Sequence, residues 1–181
     1  FIVGEDSGDL HAGTLIQAIK AKQALISFRG VGGEKMKAAG TELVAHVKDI
    51  NFMGFLEVVR NLRTIRKLFR TVETDILSWK PDAVVLVDYP GFNLRMAHFL
   101  HKHGIPVFYY ISPQIWAWKK GRVKKIRKYV DRMFVILPFE QEFYTKEGVE
   151  VDFVGHPLLD EIGDRSKEST CLLYTSPSPR D

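Results

Sequence analysis

Residues 81–88, PDAVVLVD, constrain this chain more than any other stretch of its sequence. Five apolar residues follow one another without polar alternation, so a strand here hides both of its faces. A strand buried on both sides belongs to a sheet covered by helices above and below. Pro81 opens the run and Asp88 closes it, placing a carboxylate at the strand's carboxyl end.

The rest of the chain repeats that grammar. Strands are expected at residues 1–4, in LISFRGVGG, ELVAHV, IPVFYYIS and RMFVIL, and in VDFVG. Between them lie helical patterns. Leu10, Leu15, Ile16 and Ile19 give an apolar stripe, EKMKAAG makes a short helix stopped at Gly40, and residues 55–79 make a long amphipathic one. A helix from about Leu94 to His103, a basic helix and FEQEFYTKEG complete the alternation. The expected class is α/β, with a doubly wound, mostly parallel sheet. Ligands of such sheets sit outside the carboxyl ends of the strands, which selects Gly4 to Asp9, Gly30 to Gly33, Asp88 to Asn93, Ser112 to Trp118 and Gly155 to Asp160.

The first of these turns reads GEDSGD. It lacks the spacing of a dinucleotide loop or a P-loop, and carboxylates at Glu5, Asp6 and Asp9 repel phosphate. Sugar hydroxyls suit it better. Asp6 or Ser7 can cap the following helix, with Asp9 favoured in its first turn, whereas Glu5 stands directly at the strand end. Asp88 can serve as a proton acceptor for an alcohol, because half-burial raises a carboxyl pKa; the other reading is an acid that caps the helix near Asn93. His98, His101 and His103 lie on one helix without carboxylates at metal spacing and read as a solvated face.

Charge is concentrated. Eight Lys or Arg fall between Lys119 and Arg132, and five between Arg60 and Arg70, half of the 26 in the chain. Trp116 and Trp118 precede the first cluster, and Phe52, Met53, Phe55 and Leu56 precede the second. Aromatic residues beside cations suit a membrane interface or nucleic acid, and the aliphatic bulk around residue 55 favours lipid. A solvated face over a core Trp is the plainer reading of the first cluster.

Neither end reads as a natural terminus. Phe1 lies inside an apolar run, and CLLYTSPSPRD at the other end resembles translated sequencing adapter. We expect residues 170–181 to be a non-native tail and residues 1–169 to be one domain truncated at both ends. The single Cys171 excludes an internal disulfide framework, and no apolar run is long enough to span a bilayer.

Seven motifs in order, GEDSGDLHAG, GVGGEKMKAAG, FMGFLEVV, KPDAVVLVDYPGFNLRMA, YYISPQIWAWKKGRVKKI, FVILPFEQEFY and FVGHPLLD, resemble the N-terminal half of the lipid-A-disaccharide synthase family. That resemblance covers residue 1 to about Glu161. It implies a Rossmann-like acceptor-side half of a GT-B glycosyltransferase, which inverts configuration as it joins UDP-2,3-diacylglucosamine to 2,3-diacylglucosamine 1-phosphate through a β-1,6 bond. It implies Asp88 as the general base that deprotonates the acceptor 6-hydroxyl and Glu5 as a catalytic-site carboxylate in the first strand-helix turn. Ser7, Asp9, Asn93, Ser112, Trp116 and Trp118 are expected at the substrates. Phe52, Met53, Phe55, Leu56, Arg60, Arg63, Lys119, Lys120 and Arg122 are expected at an acyl-chain or membrane surface.

The expected partners are the UDP-sugar donor, the acylated glucosamine phosphate acceptor and an anionic membrane surface, at the cytoplasmic side of the inner membrane. Neither metal nor cofactor nor nucleic acid is expected. Because the family's UDP contacts lie mainly in the other half, residues 1–169 alone are expected to be inactive. The competing reading is an α/β nucleotide- or RNA-binding module built on the basic helix 119–132.

Overall fold

The computed structural model describes residues 1–49, 62–113 and 120–159. The expected apolar surface at Phe52, Met53, Phe55, Leu56 and Arg60, the residues Trp116, Trp118 and Lys119, and the tail 170–181 lie outside the described residues.

Seven parallel strands form one sheet: β1 (Ile2–Val3), β2 (Phe28–Gly32), β3 (Thr41–His46), β4 (Val84–Val87), β5 (Val107–Tyr110), β6 (Arg132–Val135) and β7 (Val151–Phe153). Their spatial order is β3-β2-β1-β4-β5-β6-β7, so the winding reverses between β1 and β4. Ile2 pairs with Leu86 and Val3 with Val87 across that central junction. The helices are α1 (Asp6–Lys22), α2 (Glu34–Ala38), α3 (Leu62–Trp79), α4 (Pro90–Lys102), α5 (Val123–Tyr129) and α6 (Pro138–Lys146). The expected α/β doubly wound class is what the chain adopts, and every described strand pair is parallel.

Two apolar clusters lie on the two faces of the sheet. On one face Leu68, Phe69, Val72 and Ile76 of α3 join Leu94, Met96 and Leu100 of α4, Ile126 of α5 and Tyr144 of α6 over Leu86, Val107, Tyr109, Met133 and Val135. On the other, Ala12 and Ile16 of α1 and Met36 of α2 cover Val3, Phe28 and Val87. Right-handed crossovers produce this division, since the chain winds one way through β1-β2-β3 and the other way through β4 to β7.

The second face is closed unequally. In β5 and β6 the side chains of Val107, Tyr109, Met133 and Val135 are buried, while alternate residues Phe108, Tyr110 and Phe134 are only half-buried. Leu15 of α1, Tyr110, Phe134, residues 154–157 and Leu159 line a hollow of about 500 Å³ there.

Two boundaries differ from expectation. Helix α4 begins at Pro90 instead of near Leu94. Proline at a helix start loses no hydrogen bond and presets φ, which lets the turn after Asp88 enter the helix at once. Helix α1 is preceded by Glu5 as N-cap, with Asp6 and Ser7 already inside its first turn, so neither is the cap. Glu5 makes no side-chain capping bond and leaves its carboxylate exposed.

Candidate active site

Because Val3 is the register partner of Val87, Asp88 emerges level with Gly4, and Glu5 follows one residue later. Both carboxylates therefore stand at the carboxyl ends of the two central strands, where the winding reverses. That junction opens a crevice in doubly wound sheets. Gly4 keeps the junction narrow, since a Cβ there would lie 2.2 Å from Cγ of Tyr89.

Asp88 is half-buried, and its pKa is pushed up to about 6, first by burial and next by the negative charge of Glu5; the backbone N–H of Tyr89 opposes the rise. Such a carboxyl is largely ionised at neutral pH yet basic enough to accept a proton from an alcohol losing it in a transition state. The same burial and the same Glu5 raise the pKa of Tyr89.

The backbone here is strained. Asp88 and Tyr89 both have φ of 43°, and Ile111, at the end of neighbouring β5, has φ of 64°. Left-handed φ is unfavourable for residues with a Cβ, most of all for a β-branched one such as Ile111. Strain of this kind persists only where surrounding contacts hold it. The Asp88 carbonyl accepts from Tyr109 Oη at 2.5 Å and from Asn93 Nδ2 at 2.8 Å, while Asn93 Nδ2 also donates to the Val87 carbonyl at 3.0 Å.

The remaining expected substrate residues divide by burial. Ser7 is exposed on the first turn of α1, beside Glu5. Asp9 is 5% exposed, and its carboxylate accepts from the backbone N–H groups of Gly33 at 2.6 Å, Lys35 at 2.9 Å and Met36 at 3.1 Å. It satisfies the free N–H groups at the start of α2 from a different helix. Asn93 is fully buried beneath the Asp88 turn.

Ser112, also buried, donates to Glu140 Oε1, whose other oxygen accepts from the backbone of Ile136 and Leu137. Sequence reasoning missed Glu140 and Tyr109. The available signals were a glutamate three residues after a helix entry and a tyrosine inside a strand that is otherwise apolar on that face.

Arg122 is half-buried, and its positive charge opposes the rise in the Tyr109 pKa. The histidines have aromatic partners. His98 and His101 pack on Tyr129 of α5, and His103 stacks on Phe99 with Nδ1 2.8 Å from the Phe99 carbonyl. All three are exposed, as the solvated-face reading expected, and their aromatic contacts are made at that surface.

A cationic surface lies on α3. Arg63, Arg66, Lys67 and Arg70 line an open groove of about 750 Å³ beside β3, together with Thr71, Thr74 and Ser78. Asp75 at the same groove is bonded by Arg29 at 2.7 Å, and Arg29 also pairs with Glu42. Among the described residues, none of the four α3 cations forms an ion pair. No described helix is long and apolar enough to cross a membrane.

A doubly wound α/β domain with paired acids at its winding reversal is the frame of a crevice-binding enzyme half. Residues 1–172 match the family described as lipid-A-disaccharide synthetase. The chain is 47% identical over 174 residues to a lipid-A-disaccharide synthase of Syntrophus aciditrophicus, covering 96% of this chain and 45% of that protein. It is 46% identical over 161 residues to one of Trichlorobacter lovleyi and 48% over 159 residues to one of Coxiella burnetii; these cover 89% and 88% of this chain and 42% of each relative. The chain belongs to the lipid-A-disaccharide synthase family, and it spans less than half the length of these relatives.

Proposed function

We propose that this chain is the acceptor-side half of an inverting glycosyltransferase that makes lipid A disaccharide. Asp88 accepts the proton of the acceptor's 6-hydroxyl. The freed oxygen attacks C1 of the UDP-linked 2,3-diacylglucosamine from the face opposite the diphosphate, the C1–O bond breaks, and UDP leaves with the electron pair. The new bond is β-1,6 to 2,3-diacylglucosamine 1-phosphate. Family membership supports the reaction, and the observation that carries the residue assignment is the half-buried Asp88 beside Glu5 at the winding reversal.

Glu5 serves in this reading to keep Asp88 basic, and Ser7 is available to sugar hydroxyls. Asp9, Asn93 and Ser112, whose polar groups are directed into the protein, support the crevice from below instead of touching substrate. The α3 cations suit anionic lipid headgroups, so the enzyme works as a peripheral protein on the cytoplasmic leaflet. Contacts to UDP belong to the part of the relatives that this chain does not cover, and residues 1–169 alone are inactive.

The deciding experiment is disaccharide synthesis from the two acyl sugars by a protein of the relatives' full length carrying this sequence, with and without Asp88→Asn. Turnover should fall at least about 100-fold, the usual contribution of a general base. Near-normal turnover in a folded variant rejects Asp88 as the base.

A further inference from the structure

Two side chains that face away from solvent converge on one atom, the carbonyl oxygen of Asp88. Tyr109 is fully buried in β5, and its hydroxyl reaches that oxygen at 2.5 Å. Asn93 is fully buried in the first turn of α4 and reaches it at 2.8 Å. The oxygen belongs to the peptide between Asp88 and Tyr89, the two consecutive residues whose φ of 43° L-amino acids avoid. A carbonyl held by two fixed donors cannot rotate, and its rotation is what relaxing Tyr89 towards ordinary φ requires; the Val87 carbonyl, which Asn93 Nδ2 also holds at 3.0 Å, pins the preceding peptide on which φ of Asp88 depends.

We propose that Tyr109, with Asn93, is a positioning residue: it clamps the Asp88–Tyr89 peptide in its left-handed conformation and so keeps the Asp88 carboxylate inside the crevice. The inference rests on the reading of Asp88 as the base for its consequence in catalysis, but the clamp is a property of the fold. The Tyr109 phenol suits this task at any physiological pH. Burial first, and the charge of Asp88 next, raise its pKa well above the ordinary tyrosine value, so it remains a donor.

The test removes one oxygen. Tyr109→Phe keeps the ring in its buried place. In the chain itself, carboxyl-detected NMR titration of Asp88 should show its pKa falling from about 6 by a unit or more towards the ordinary aspartate range, as the carboxylate swings out to water. Loss of general stability alone does not move the titration of one carboxyl in the folded state. An unchanged Asp88 titration in folded Tyr109→Phe overturns the proposal.

Should Tyr109→Phe fail to fold, Tyr89→Gly supplies the second arm, because glycine adopts φ of 43° without strain and removes the part of the strain that the Asp88 carbonyl clamp holds. Tyr89→Gly/Tyr109→Phe should then regain cooperative unfolding. A double variant that stays unfolded while Tyr89→Gly folds rejects the clamp.

In the full-length enzyme the expected effect of Tyr109→Phe is a tenfold or greater loss in kcat with KM within about twofold, and an acid limb of the pH profile moved to lower pH. If Asp88→Asn leaves turnover intact but the NMR titration still moves in Tyr109→Phe, the base assignment fails and the clamp stands.

Discussion

Glu5 and Asp88 leave the carboxyl ends of the two central strands one residue out of step, because Val3 is paired with Val87. The offset puts a free, exposed carboxylate beside a half-buried one, and the charge of the first resists ionisation of the second. Glu5 thus acts on Asp88 through its charge. It raises the proton affinity of its neighbour, and the aqueous exposure of Glu5 keeps that influence modest.

Replacing Glu5 by Gln should therefore lower the Asp88 pKa. In a full-length protein carrying this sequence, kcat/KM is expected to fall with unit slope below about pH 6, where Asp88 is protonated. Glu5→Gln should shift that limb towards acid by roughly half a unit to one unit, an expectation for one exposed charge at crevice distance. A limb that moves towards alkali, or stays fixed while the rate collapses, assigns Glu5 to direct substrate contact.

The raised pKa of Asp88 also fixes the sign of a stability effect. A carboxyl more basic in the folded than in the unfolded chain favours folding less once it must ionise. The penalty is absent below about pH 4, grows between pH 4 and 6, and is constant above. Its size is roughly 1–2 kcal/mol after allowance for partial exposure. Asp88→Asn should accordingly be more stable than the parent at pH 8 by about that amount, with the difference shrinking as pH falls through 6 to 4. Urea unfolding at several pH values measures it. A pH-independent gain would instead reflect the tolerance of Asn for left-handed φ.

Much of the frame was legible because its causes are local. The apolar run 84–87 required burial on both faces, and the strand-helix alternation then allowed few sheets. Asp88 was legible for the same reason, as the first polar residue after a buried strand. What sequence periodicity could not carry were long-range hydrogen bonds. Asp9 read as a first-turn acid near the site, yet its partners are backbone groups 24 to 27 residues away. Ser112 likewise answers to Glu140, 28 residues on. Polar side chains at strand ends look alike in sequence whether they face a crevice or a neighbouring loop, and only the packing of α1 on α2 and the hydrogen bond from the segment after β5 to α6 separate them.

Asp9→Ala tests the first of those supports. It strands the backbone N–H groups of Gly33, Lys35 and Met36 in a place where water has little access. Losing a cap of this kind costs on the order of 2–3 kcal/mol, combining the capping loss with unsatisfied buried donors. For a chain of this size that is a fall in Tm of roughly 5–10 °C. Asp9→Asn, which keeps one acceptor, should lose less. A variant with unchanged Tm and impaired substrate binding would return Asp9 to the site.

The cationic face of α3 yields the last prediction, and here geometry separates two readings of the same charge. Arg63, Arg66, Lys67 and Arg70 line one open groove, while the opposite side of that helix, Leu68, Phe69, Val72 and Ile76, is buried against the sheet. The cations cannot turn inwards, and among the described residues no carboxylate forms an ion pair with them. Each cation near an anionic bilayer contributes about 1 kcal/mol, so Arg66→Glu/Arg70→Glu should weaken binding to phosphatidylglycerol-containing vesicles by roughly 100-fold or more, because two attractions become repulsions. Added salt should erode the parent's binding in the same direction, while vesicles of neutral lipid should bind weakly in both cases. Cosedimentation measures all three. If RNA at physiological salt competes for the same groove more strongly than vesicles do, and the double variant loses RNA but not lipid, the surface serves nucleic acid and the membrane reading falls.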